Sequence, residues 1–196
     1  MHSVRMDSSD VRQITDSRVL AAMSHPLRRR LMDVFKVHGP STVGLLAERT
    51  DQAPANVSHH LKVLAAADLV TEAPELARDR RERWWRLVTR GLRWSNADFD
   101  ADPASRAVAD AATSLNLDRH VALARAWHAA DEAEQASWHD AAFSTDHWLR
   151  LTPEELAELS REMIGVLSRW ANRDLPDDDA ERRPVFVFVH GVPARP

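Results

Sequence analysis

Residues 54–70 read PANVSHHLKVLAAADLV, and the fold turns on which sides of this segment are apolar. Proline suits the first turn of a helix, because the N–H it lacks would have no partner there. From Pro54 onward the apolar residues recur at helical spacing. On a wheel of about 100° per residue, Leu61 and Leu64 fall within about 40° of Val57. These three form the stripe expected to be buried. Ala55, His59, Lys62 and Ala66 lie about 140–200° away, flanked by Asn56 and Ser58. His60 sits about 60° from the stripe, so the adjacent histidines are not equivalent.

Three uses of such a helix compete. Zinc pairs on a helix use histidines at i and i+4, which return to one face, whereas adjacent histidines diverge by about 100°. A plain amphipathic core helix carries long charged side chains on its outer face. This outer face is short and polar, with Lys62 as its one long cation. Small side chains let a helix sit deep in a major groove, and Asn, Ser and His supply hydrogen bonds to base edges and phosphates. Groove insertion is the reading adopted.

The flanks support it. Residues 16–23 suit a short helix, and Ser24-His25-Pro26 restarts one whose apolar face is Leu27, Leu31, Val34 and Phe35. Gly39-Pro40 ends that helix, and Ser41-Thr42 can cap a third carrying Val43, Leu46 and Ala47. Thr50-Asp51-Gln52 then makes a tight turn into Pro54. After Asp68 the pattern becomes extended. Leu69–Thr71 and Trp84–Val88 are rich in β-branched and aromatic residues and enclose the polar connector EAPELARDRRER. Two short strands around an Arg-rich loop predict a β-hairpin. Helix, turn, helix and hairpin in this order predict a winged helix-turn-helix.

At this point the chain resembles the ArsR-like winged helix-turn-helix repressors. The matching stretches are AMSHPLRRRLMDVF, TVGLLAERTDQAPANVSHHLKVLAAADLV and RDRRERWWRLVTRGL, covering about residues 16–95. The resemblance implies a bacterial, homodimeric regulator that binds duplex DNA at an operator, with repression as its mode. Geometry and resemblance together assign Ala55, Asn56, Ser58, His59 and Lys62 to the groove face. His59 and Asn56 are the expected base readers; Ser58 and Lys62 are expected to hold phosphates. His60 either braces the helix or touches DNA. Arg78, Arg80, Arg81 and Arg83, in the wing at 74–83, are expected on the backbone or in the minor groove. Asp79 and Glu82 would orient them. Arg28 matches the family's position after His-Pro, where a structural salt bridge and a phosphate contact are both open.

The expected organisation is a disordered leader at 1–13, the DNA-binding domain at 14–95, and a helical dimerisation or effector region at 96–196. Residues 103–135 read as one Ala-rich helix. Thr152-Pro153-Glu154-Glu155 starts another with a capping box, followed by Leu156, Leu159, Met163, Val166, Leu167 and Trp170. The run at 185–190, VFVFVH, reads as a strand buried on both faces. Its partner would be His147–Leu151 or a second subunit. The fold class is therefore mainly α with a small β component.

The resemblance raises metal sensing, since one known family pattern on the dimer helix is D-x-H, ten residues, then H-x-x-E. Here Asp118 and His120 are followed by His128 and Asp131, with seven residues between the histidines. That spacing leaves the histidines about 80° apart, so no metal site is expected and the four read as exposed polar residues. With no cysteine in the chain, thiolate metal sites and disulfides are excluded. No cofactor is expected. Trp127, Trp138, Trp148 and Trp170 suit a helical core or dimer seam, and leave room for a small apolar effector.

Charge divides along the chain. Residues 1–95 carry 16 basic and 11 acidic side chains, and residues 96–196 carry 10 and 19, so +5 is followed by −9. Only the first half is suited to a polyanion. The chain has no phosphate-binding glycine loop and no G-x-S-x-G, and five glycines in all; it is not expected to be an enzyme. A polar N-terminus and no long apolar run predict a soluble, cytoplasmic protein without a membrane partner. The competing reading is a winged helix that binds protein or RNA and no operator.

Overall fold

The computed structural model describes residues 11–79, 82–138 and 141–195. The chain divides after Leu117 into two compact units, which are taken separately.

The N-terminal unit is a winged helix-turn-helix. Helices α1 (Ser17–Met23), α2 (Pro26–His38), α3 (Val43–Thr50) and α4 (Pro54–Ala66) are followed by the wing strands. Local chemistry sets each boundary. The Asp16 carboxylate accepts from the Arg18 N–H and caps α1. The His25 ring caps α2, with Pro26 at its first position. Gly39 ends α2 at φ 71°, a left-handed conformation that costs a residue without Cβ little. Thr42 caps α3 through the Leu45 N–H at 3.3 Å. Asp51 turns the chain left-handed at φ 52° to separate α3 from α4, a conformation that Asp tolerates better than most residues.

Strand β2 (Ser41–Thr42) pairs antiparallel with β4 (Trp84–Leu87), which pairs with β3 (Val70–Glu72). The order β2-β4-β3 is the small sheet of the wing, and the hairpin of β3 and β4 is the one expected. A second pairing was not foreseen: β1 (Val11–Gln13) runs parallel to β5 (Gly91–Arg93). Residues 11–13 therefore depart from the expected disordered leader. The Arg12 guanidinium also binds the Asp68 carbonyl at 2.6 Å and its carboxylate at 3.1 Å, which ties this strand to the end of α4.

The core of this unit gathers Leu20, Met23, Leu31, Met32, Phe35, Leu46, Leu69 and Phe99 around Val57, Leu61 and Leu64. The last three are 0% exposed, as the wheel requires. The first half of α5 (Pro103–His128) closes this core through Ala109 and Ala112.

In the C-terminal unit the single helix expected at 103–135 is interrupted. Asp131 accepts from the Glu134 N–H at 2.7 Å and starts α6 (Glu132–Trp138), so a new N-cap ends the old helix. Helix α7 (Pro153–Ala171) begins as read: Thr152 and Glu155 exchange bonds of 3.2 and 2.7 Å in a capping box.

Within the single chain the strand expected at 185–190 does not form. Neither it nor His147–Leu151 is in a strand, and a strand is maintained only by a partner for its backbone. The alternation has another use. Phe186, Phe188 and His190 point one way and gather on the His120 ring at 5.2–5.4 Å between centroids. The run is not buried on both faces: Val185 is 65% and Val187 43% exposed. Trp148 and Trp170 are likewise exposed within one chain, so they fill no core of their own subunit. No helix among the described residues is long and apolar enough to cross a membrane.

Candidate nucleic-acid interface

Helix α4 presents two chemically different sides. Val57, Leu61 and Leu64 are buried, and His60 is nearly so at 7% exposure. Ala55, Asn56, His59 and Lys62 are exposed, and Ser58 is half-buried. The outer side thus carries one long Lys and otherwise short groups. Alone among the first four helices, α4 has no side-chain N-cap; Ala53 occupies that place. Its first turn therefore turns uncapped peptide N–H groups and the positive end of the helix dipole outward, which suits an anion. An alanine where Ser, Thr, Asp or Asn is usual is a signal legible in the sequence itself.

A residue missed by the sequence reading is Gln52. Its side-chain oxygen accepts from the Asn56 amide at 2.9 Å, and its amide donates to the Asp51 carbonyl at 2.8 Å. Asn56 is thereby held in one orientation by the turn that precedes the helix. Spacing i, i+4 between Gln52 and Asn56 would have suggested the contact.

The two histidines separate as the wheel requires. His59 is exposed, and its ring stands edge-on to His60 at 5.2 Å between centroids. His60 faces inward and lies 4.4 Å from the His25 ring. Its Nδ1 is buried without a hydrogen-bond partner among the described residues. Burial, followed by the nearby charge of His25, Arg28 and His59, holds the His60 imidazole below its ordinary value of 6.5. It is neutral at physiological pH.

Among the described residues Arg28 makes no salt bridge of the kind left open for it. Its guanidinium donates to the carbonyls of Ala21 and Ala22, closing the C-terminal end of α1. A cation there complements the negative end of the helix dipole.

In the wing, Arg80 and Arg81 lie outside the described residues. The Arg78 N–H donates to the Glu82 carboxylate at 2.9 Å, and the Glu82 N–H donates to Asp79 at 3.0 Å. That first bond is the main cause that holds the Glu82 carboxyl below the usual range. The acidic pair shapes the loop through the backbone, leaving the Arg78 side chain out of that bonding. Arg83 lies 3.8 Å from Glu72 and is still 74% exposed, and Arg86 pairs with Glu75 at 2.6 Å. Exposed pairs of this kind are worth little, ~0–1 kcal/mol, so a phosphate can displace them.

Asp118, His120, His128 and Asp131 do not form a cluster. Asp131 caps α6, and His120 Nδ1 lies 3.1 Å from His190 Nε2. Among the described residues no group of three or more His, Cys, Asp or Glu is placed to hold a metal ion.

Residues 23–73 match the helix-turn-helix domain family. The transcriptional repressor SdpR of Bacillus subtilis is 35% identical over 54 residues, which are 28% of this chain and 59% of that relative's length. Among solved structures, the apo form of a mutant ZitR of Lactococcus lactis is 16% identical. It covers 76% of this chain and 86% of its own at a TM-score of 0.33. A MarR family transcription regulator, SP03579, is 14% identical over 79% and 81% of the two chains, at a TM-score of 0.35. Overlap that low supports no argument of its own. The match is thus to a helix-turn-helix domain, and the curated relative is a transcriptional repressor.

Proposed function

We propose that the chain is a sequence-specific, duplex-DNA-binding transcriptional repressor of the ArsR-like type. It binds an inverted-repeat operator as a homodimer, with α4 in the major groove and the wing on the adjacent backbone or minor groove. One observation carries this reading: the fully buried Val57, Leu61, Leu64 stripe puts Ala55, Asn56, His59 and Lys62 on the open side of a helix-turn-helix. His59 and Asn56 read base edges, Ser58 and Lys62 contact phosphates, and Arg78, Arg80, Arg81 and Arg83 neutralise backbone charge. Homodimerisation is supported by the apolar side chains the C-terminal unit leaves exposed, among them Trp148, Trp170 and Val185.

The test is selection of bound sequences from randomised and genomic duplexes, followed by titration with salt. Selected sites should contain two half-sites related by a twofold axis about one helical turn apart. Affinity should fall steeply with salt, with a log–log slope near −0.9 per phosphate neutralised. Enrichment of no duplex, or binding indifferent to salt, would sink the proposal and favour a protein- or RNA-binding winged helix.

A further inference from the structure

Two structural duties in the N-terminal unit fall on imidazoles that lie against each other. The first is the start of α2. His25 Nδ1 accepts the Leu27 N–H at 3.2 Å and so caps that helix. A doubly protonated ring has no lone pair at Nδ1 and makes no such cap. The second is the inner side of α4. His60 packs there at 7% exposure with Nδ1 unpartnered, its ring 4.4 Å from that of His25. A proton on His60 would find no acceptor at Nδ1.

The surroundings offer such a proton no counter-charge. Among the described residues the groups acting on His60 are His25, at the turn from α1 to α2, Arg28 on α2, and His59 on α4 itself. Each is a cation or becomes one on protonation, and each acts in the direction that disfavours charge on His60. The Arg28 guanidinium is held in place by the Ala21 and Ala22 carbonyls, so this permanent cation is fixed. His59 differs from its neighbour in being exposed on the outer side of α4.

We propose that the adjoining, mutually tilted rings of His25 and His60 form a proton-sensitive latch that holds the recognition helix against the start of α2, so that mild acid releases the helix and erases sequence discrimination. Release disorders the placement of Asn56 and His59 relative to the rest of the domain while leaving the basic residues in the chain. Specific binding then falls in acid while non-specific binding rises with the extra positive charge. The operator preference thus collapses from both sides. The second part rests on the DNA-binding reading above; the latch itself does not.

The experiment measures amide hydrogen exchange of α4 in the full chain, without DNA, from about pH 7.5 to about pH 5.5, the range in which histidine changes charge. After the intrinsic pH dependence of exchange is divided out, α4 protection should fall severalfold. The fall should be absent in His60→Leu, which removes the proton site and keeps an apolar side chain. His25→Asn keeps a good N-cap and removes the facing ring; its fall should be shallower than that of the wild type. Protection that stays flat in the wild type, or an undiminished fall in both variants, overturns the latch. Should His60→Leu not fold, the wild type and His25→Asn decide the matter alone. In parallel, the ratio of affinities for a selected duplex and a random one should drop about tenfold over the same range, and a ratio that holds or rises overturns the coupling to DNA. If α4 loosens as described but no duplex is bound at any pH, the DNA-binding proposal fails and the latch stands.

Discussion

His59 and His60 are neighbours in the chain and opposites in environment, one exposed and the other 7% exposed. Their substitutions should therefore separate function from stability. His59→Ala removes an exposed side chain that lies outside the buried stripe, so the unfolding midpoint should stay within error. Its predicted cost is discrimination between a selected duplex and a base-substituted one, about 1–3 kcal/mol if the ring makes a good base contact, read by competition binding. A domain that melted on this change would mean that the helix face is misassigned. His60 should report through pH instead. Its value in the folded protein is below the ordinary 6.5, so the unfolded chain takes up a proton more readily. Stability is then complete above about pH 6.5 and declines as the pH falls below it. Urea midpoints on either side of that pH check the sign.

Helix α4 as an element is anchored by its stripe rather than by its cap. Leu61 is 0% exposed, and Leu61→Ala should destabilise the N-terminal unit by about 2–5 kcal/mol, measured by chemical unfolding. That is a larger effect than any change on the outer side of the same helix. The stripe was legible in the sequence because a period of 3.6 residues is a local property of the chain. The wing hairpin was legible for a similar reason, its two apolar runs being separated by a polar connector. Strands β1, β2 and β5 were not. Each is two or three residues long, too short for a period, and each exists through pairing with residues far away in the chain. The wing makes a prediction of another kind. Arg80→Ala combined with Arg81→Ala should weaken selected and random duplexes by a similar factor and flatten the salt slope by about one for each phosphate no longer neutralised. A weakening confined to the selected duplex would assign the wing to base reading.

At the scale of the whole molecule, burial is concentrated at one end. Among the described residues every buried hydrophobic lies between Ile14 and Ala112. Ordering a backbone costs roughly 1–2 kcal/mol per residue, and full burial of an aliphatic side chain contributes about 1.5–3 kcal/mol. A fragment ending at Leu117 should therefore unfold cooperatively by itself, as calorimetry would show. A fragment of 118–196 should not, unless it self-associates. Sedimentation of the intact chain should give a dimer, and a strictly monomeric chain at micromolar concentration would leave the exposed apolar side chains of the C-terminal unit unexplained. The charge of +5 over residues 1–95 and −9 over 96–196 favours the helix-turn-helix and wing for the proposed DNA-facing role.

By itself the sequence determined the helix-turn-helix, the inner and outer sides of α4, the hairpin and the capped start of α7. Those features follow from periodicity, caps and turn residues, all of which act within a few positions. Only the tertiary structure decided that residues 11–13 form a strand, that Arg28 closes α1, that Gln52 orients Asn56, and that His25 meets His60. It also decided that the apolar alternation at 185–190 forms an aromatic row on His120 rather than a paired strand. Such contacts depend on which distant residue arrives alongside. Alternation and composition state what a segment can present, and a partner far away in the chain settles what it meets.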